Sequence, residues 1–133
     1  KVVHSDIKPQ NMIYDGGNVK LIDFNASVYL GDKPKLTGKR EQGTPGYMPK
    51  EMYKGEISYK SDIYELGVSF LEIWFGDIWS KETDRYDKNR RYVLDYLSLL
   101  ENDNSKIHGL IKRCVSVDPQ KRPDLNEILL TLN

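Results

Sequence analysis

The stretch that decides the reading is His4-Ser5-Asp6-Ile7-Lys8-Pro9-Gln10-Asn11. Taken bare, it sets a carboxylate, an ammonium and a carboxamide within six positions of one loop. Twelve residues past Asn11, directly after the apolar run Val19–Ile22, comes a second carboxylate, Asp23, followed by Phe24 and Asn25. That set suits phosphoryl transfer. A carboxylate can orient and deprotonate a hydroxyl nucleophile, and a lysine can neutralise phosphate charge. Aspartate and asparagine oxygens can hold magnesium, which prefers hard oxygen ligands.

Working outward, Met12-Ile13-Tyr14 and Val19-Lys20-Leu21-Ile22 read as two short strands. Asp15-Gly16-Gly17-Asn18 lies between them, and these residues accept positive φ, so a small hairpin is expected. Gly31 to Gly43 holds Pro34 and the basic cluster Lys33, Lys35, Lys39 and Arg40, and reads as a mobile surface loop. From Tyr59 to Phe75 the chain is apolar on almost every face, through Ile63, Leu66, Val68, Phe70, Leu71, Ile73 and Trp74. A helix of that kind is expected to be central and buried. The mixed charge of Lys81 to Arg91 reads as an exposed connection. Helical spacing follows at Val93, Tyr96, Leu97 and Leu100, and again at Ile107, Leu110, Ile111, Cys114 and Val115. Asp118-Pro119 is expected to end that helix. Asp124 with Glu127 resembles a capping box, opening a last helix with Leu125, Ile128, Leu129 and Leu132 on one side. The fold class predicted is mainly α with a small β-hairpin.

The composition narrows the function classes. The chain has 133 residues, with 20 Lys plus Arg against 20 Asp plus Glu, so its formal charge is zero. That balance argues against a polybasic nucleic-acid binder and against an acidic tail. The single cysteine, Cys114, excludes an internal disulfide framework and a cysteine-based zinc cluster. The most apolar stretch, Val68 to Ile78, is broken by Glu72 and Asp77, so no membrane span is expected. A cytoplasmic or nuclear location is the default. His4, His108 and Cys114 read as packed side chains rather than chemical ones. The first residue is lysine, which points to processing or to a piece of a longer chain.

With these residues in view, the chain resembles the eukaryotic-type serine/threonine protein kinases. His4 to Asn11 resembles their catalytic loop, H-R-D-x-K-x-x-N, and Asp23-Phe24-Asn25 stands where they carry D-F-G. Gly43-Thr44-Pro45-Gly46-Tyr47-Met48-Pro49-Lys50-Glu51 resembles the end of their activation segment. Asp62-Ile63-Tyr64-Glu65-Leu66-Gly67 resembles the start of their central helix, and Asp118-Pro119-Gln120-Lys121-Arg122-Pro123 their late D-P-x-x-R-P motif. The resemblance implies the C-terminal lobe of the two-lobed α+β kinase fold. Residues 1–22 would be catalytic loop and hairpin, 23–51 activation segment, and 58–133 the helical part.

The resemblance also implies roles. Asp6 would be the base that accepts the substrate hydroxyl proton, and Lys8 would lie against the transferring phosphate of ATP. Asn11 and Asp23 would bind Mg2+. Thr44 would tie the substrate-facing loop to Asp6 and Lys8. Glu51 would pair with Arg122, and Asp62 would hold the catalytic-loop backbone. The expected partners are a protein substrate offering Ser or Thr and an N-terminal lobe in cis, or a partner kinase in trans, with no nucleic acid and no membrane. Neither a Gly-rich phosphate loop nor a strand lysine is present, so these 133 residues alone are expected to be inactive. The alternative is a half-kinase or pseudokinase module that regulates a partner without catalysis. The sequence departs from the family pattern at four places. Ser5 replaces arginine, Asn25 replaces glycine, Pro49-Lys50 replaces Ala-Pro, and Glu65 stands where serine is frequent. Asparagine is the residue other than glycine that best tolerates left-handed backbone geometry, so the change at Asn25 is not expected to be disabling.

Overall fold

Gly16 and Gly17 both lie at positive φ, 54° and 96°, which lets the chain reverse in two residues. Strand β2 (Met12–Asp15) therefore pairs antiparallel with β3 (Asn18–Leu21), Met12 opposite Leu21 and Asp15 opposite Asn18. The expected hairpin is present. A computed structural model of the chain describes residues 1–38, 42–79, 81 and 83–133. Among these residues there are four α-helices and two sheets of two strands each.

The second sheet is one that sequence periodicity does not announce. Strand β1 (Val2–Val3) pairs antiparallel with β4 (Val28–Tyr29), so the chain segment between them is closed into a loop. Val3, Val28, Leu30 and Ile57 form a small apolar cluster on this sheet, with Leu36 packed against it. Leu36 also exchanges two backbone hydrogen bonds with Ile57, both 2.9 Å. The loop read as mobile is thus tied down at its centre. Lys33 and Lys35 of its basic cluster are exposed, whereas Lys39 and Arg40 lie outside the described residues.

Helix α1 (Tyr59–Phe75) starts at a capping box in which Ser58 and Ser61 each accept from the other's backbone N–H. Its middle is buried, from Ser61 to Leu71 on the inward faces. Its last turn is not: Ile73 is 63% exposed and Trp74 43%. Those two residues extend the apolar pattern past the end of the core, which corrects the expectation of burial along the whole helix. Trp74 instead donates its indole N–H to Asp103 at 3.2 Å.

Helix α2 (Tyr86–Asp103) begins inside the segment read as a connection. Its first turns are charged because only one narrow face meets the core, through Asn89 and Val93. The Asn89 amide is fully engaged there, donating to Thr83 O at 2.5 Å and accepting from Thr83 N at 3.3 Å. Helix α3 (Ser105–Cys114) is capped by Asn104 and stops at Cys114, earlier than expected. Asp118 caps a separate short 3-10 turn, Pro119–Lys121. Helix α4 (Leu125–Leu132) opens at the expected capping box of Asp124 and Glu127. Only Ile128 of its apolar side is buried; Leu125, Leu129 and Leu132 are all more than half exposed. No helix among the described residues is long and apolar enough to cross a membrane.

The main core lies between α1, α2 and α3, and includes Tyr64, Val68, Leu71, Val93, Leu97, Leu100, Ile111 and Val115. Its closest approach is at Gly67. A Cβ there would stand 2.8 Å from both Cys114 Cβ and Val115 Cγ1, so α1 and α3 touch only because the side chain is absent. Burial pushes the Cys114 thiol up to about 11, which keeps it an inert part of this contact. Gly67→Ala should therefore lower stability by about 1–3 kcal/mol through overpacking, despite a helix gain of about 0.5–1 kcal/mol. Urea denaturation reads the sign, and a net gain would contradict the close contact.

Candidate active site

The His4–Asn11 loop hangs from α1 by hydrogen bonds between its backbone and side chains of that helix. Asp62 accepts from His4 N at 2.8 Å through Oδ2 and from Ser5 N at 2.9 Å through Oδ1. Burial raises the Asp62 pKa, and these two N–H donors oppose that rise. Ser5 is fully buried at φ +69°, an uncommon conformation for a residue other than glycine. One turn after Asp62, Glu65 is also wholly buried, and its Oε2 accepts from Ile7 N at 2.5 Å.

His4 is packed, as expected, and it also couples two segments. Its Nδ1 accepts from Asp6 N at 3.2 Å, while Nε2 lies 2.9 Å from Ile22 O. A carbonyl can only accept, so both bonds exist together only in the Nε2–H tautomer. The ring meets Phe24 edge-on, with centroids 4.7 Å apart.

The loop then brings three of its side chains to Thr44. Asp6 Oδ1 accepts from Thr44 Oγ1 at 2.7 Å, and Lys8 Nζ donates to the same Thr44 oxygen at 2.7 Å. Lys8 Nζ lies 4.0 Å from Asp6 Oδ2. The Asn11 amide donates to Asp6 O at 2.8 Å and to Asp6 Oδ2 at 3.3 Å. Asp6, Lys8, Asn11 and Thr44 are therefore one connected cluster, although Thr44 is more than thirty residues away in sequence.

Asp23 reaches the same place by backbone pairing, since Ile22 N donates to Asn11 O at 2.9 Å. The turn that re-aims the chain is at Asp23 itself, at φ +58°, and Asn25 is not in the left-handed region. The tolerance of asparagine for left-handed geometry is therefore not called on at Asn25. Asn25 N instead donates to Asp23 Oδ1 at 3.2 Å. The Asn11 NH2 group is spent on Asp6, which leaves Oδ1 available as an acceptor; Asp23 Oδ2 takes no donor among the described residues. Amide and carboxylate oxygens are the hard donors that magnesium takes. No group of three His, Cys, Asp or Glu among the described residues could hold a metal, so a dedicated protein cage is not what this site offers.

Next to the cluster is a cleft of about 520 Å³ lined by Lys8, Gln10, Thr44, Tyr47, Glu72, Asp77 and Trp79. The Tyr47 hydroxyl donates to the Glu72 carboxylate and accepts from Trp79 Nε1 at 3.2 Å. Burial and the Glu72 carboxylate push the Tyr47 phenol above its usual range. Sequence reading assigned no part to Gln10, Glu72, Asp77 or Trp79. The available signal was Glu72, a charge interrupting the apolar faces of a core helix.

Behind the cleft, Glu51 sits in the 3-10 turn Lys50–Lys54, whose Pro49 enters extended. Arg122 is 1% exposed and meets Glu51 in a fork, NH1 to Oε1 at 2.6 Å and NH2 to Oε2 at 3.1 Å. Its other donors reach Ser116 O, Lys60 O and Val117 O at 2.8, 3.0 and 3.2 Å. All five guanidinium N–H groups are thus used.

Two measurements follow. Arg122→Ala removes the partner of Glu51 and the donors to three carbonyls, and should cost about 3–5 kcal/mol in denaturant unfolding. Arg122→Lys should recover only part of that, because an ammonium cannot reproduce the fork. The second concerns pH. Burial, then the Asp62 charge, holds Glu65 well above its ordinary 4.5. A raised carboxyl contributes stability that is full below the unfolded value and lost as the pH climbs toward the folded one. Between about pH 5 and about pH 8 the melting temperature of the native chain should fall more than that of Glu65→Gln, which cannot ionise. Equal pH slopes would contradict the buried, raised carboxyl.

Comparison with known proteins identifies the family. The profile of the protein kinase domain matches residues 1–131. The dual specificity protein kinase zak2 of Dictyostelium discoideum is 36% identical over 138 residues, covering 97% of this chain and 20% of the relative. The serine/threonine-protein kinase MPS1 of Encephalitozoon cuniculi is 28% identical over 134 residues, covering 97% of this chain and 23% of the relative. The putative serine/threonine-protein kinase R436 of Acanthamoeba polyphaga mimivirus is 31% identical over 137 residues, covering 99% and 49%. The chain spans half or less of the length of each of these relatives. A family profile matched along nearly the whole sequence, on a mainly helical fold with small antiparallel sheets, makes this chain a member of the eukaryotic-type protein kinase family.

Proposed function

We propose that the chain is the C-terminal lobe of a serine/threonine protein kinase domain and transfers the γ-phosphate of ATP to a protein hydroxyl when an N-terminal lobe completes it. The observation that carries the reading is the hydrogen-bonded cluster of Asp6, Lys8, Asn11 and Thr44. In it Asp6 accepts the proton of the substrate hydroxyl. Thr44 Oγ1, held between Asp6 and Lys8, fixes the carboxylate and the ammonium relative to each other. Lys8 offsets charge on the transferring phosphoryl group. Asn11 Oδ1 and Asp23 would hold Mg2+, which neutralises phosphate charge when bound. The cleft beside Lys8 and Thr44 is where a substrate peptide would lie. Lys8 paired with Thr44 supports the serine/threonine branch.

On this reading residues 1–22 are catalytic loop and hairpin, 23–51 the activation segment and 58–133 the helical part. The N-terminal lobe has a surface to dock on. Ile13, Tyr14, Val19, Leu21 and Phe24 are between 38% and 75% exposed on and beside the hairpin. Apolar area of that kind marks a protein contact. The same surface supports the second reading, a module that binds a partner kinase in trans without catalysis.

One experiment separates the two. In the full-length protein, Asp6→Asn should lower kcat by about 10²- to 10⁴-fold while the melting temperature is retained. The assay uses ATP, Mg2+ and peptide pools offering Ser, Thr or Tyr. Undiminished transfer by Asp6→Asn would sink the catalytic assignment, and an inactive parent protein would favour the binding module.

A further inference from the structure

Glu65 is the least expected side chain near the cluster. It is wholly buried on α1, and desolvation makes a lone buried carboxyl costly. Its Oε2 takes the N–H of Ile7, the residue between Asp6 and Lys8. Its Oε1 has no hydrogen-bond partner among the described residues. Asp62, one turn earlier on the same face, takes His4 N and Ser5 N. Ser69, one turn later, donates Oγ to Ile7 O at 3.4 Å. Three polar side chains at helical spacing thus run along one face of α1 and grip successive peptides of the loop. Glu65 and Ser69 hold the two backbone groups of the same residue, Ile7, which is itself 7% exposed.

The charges facing Glu65 bear on which form does this. Asp62 on its own helix and Asp6 on the loop repel an ionised carboxylate, and Lys8 on the loop attracts it. The net bias is toward the neutral acid, which accepts the Ile7 N–H as well as a carboxamide would. A side chain without an acceptor would leave that N–H buried and unpaired, and the peptide between Asp6 and Lys8 free to shift.

We propose that Glu65 is a positioning residue: by accepting the Ile7 N–H it fixes the peptide that joins Asp6 to Lys8, and so sets the distance of both side chains from Thr44. Its consequence for catalysis rests on the kinase reading above. Glu65 touches neither substrate nor nucleotide; it acts through the backbone of the loop.

The test uses the full-length protein with Glu65→Ala and the near-isosteric Glu65→Gln, each checked by thermal melting. Two readouts are taken. Hydrogen exchange of the peptide covering residues 4–11 should quicken by about 10-fold or more in Glu65→Ala and return close to the parent rate in Glu65→Gln. In steady-state assays Glu65→Ala should lose about 10- to 100-fold in kcat with KM for ATP and peptide changed little, because misplacement harms the chemical step. Glu65→Gln should restore most of kcat. Unchanged exchange in Glu65→Ala, full kcat in that variant, or a Glu65→Gln protein as impaired as Glu65→Ala would each overturn the proposal. A parent protein no more active than Asp6→Asn overturns the kinase reading and the catalytic consequence with it. The exchange data then report only whether Glu65 holds the loop.

Discussion

The His4–Asn11 loop has almost no regular structure of its own, apart from the short 3-10 turn at its end. What gives it a shape is the carboxylate of Asp62, which takes two consecutive backbone N–H groups from a helix that is itself locked in the core. That contact spans almost sixty residues of sequence. It fixes where His4 begins, and everything after it follows in register. His4 ties the loop to Ile22, Ile22 places Asp23, and the Asn11 carbonyl closes the circuit from the other side. A rigid helix thereby positions side chains that lie on a loop, which is the arrangement an accurate site needs. The strained backbone at Ser5 and Asp23 is sustained by the same contacts, since neither conformation is one the residue would choose alone.

A second anchor serves the other half of the molecule. Arg122 joins the turn around Glu51 to the end of α3 and the start of α1. A buried ion pair is weak evidence for stability when an apolar pair could replace it. Here the guanidinium also closes three backbone carbonyls, so its worth is in fixing where three segments meet. Thr44 lies only a few residues upstream of Glu51, so this anchor and the Asp62 anchor converge on the Asp6–Thr44 contact from opposite ends.

Much of this arrangement was legible in the sequence, for physical reasons. The hairpin was readable because paired glycines between apolar runs have few other uses. The helices α1 and α3 were readable where burial imposes a period. The candidate residues of the cluster stood out because their chemistry is unusual at that spacing, although spacing cannot say that Thr44 sits between Asp6 and Lys8. Other features left no trace. Strands of two residues, such as Val2–Val3, are too short to show alternation. The charged start of α2 hid a helix because its inward face is a single asparagine and a valine. The left-handed geometry of this turn falls on Asp23, which residue type alone does not announce. Glu65 was visible only as an odd residue, since its partner is a backbone N–H that no side-chain pattern encodes.

The hairpin has a consequence for handling this chain. Strands β2 and β3 form a sheet of only two strands, so each presents an open edge of unpaired backbone groups. Almost every side chain on it is exposed, including Tyr14 and Val19. Such a ribbon has little tertiary support and is a template for pairing with another copy. The ion pair of Lys20 with Asp15, 3.3 Å long, places charge on it and discourages that pairing. Where nothing covers the ribbon, high salt weakens this exposed pair and with it one obstacle to edge pairing.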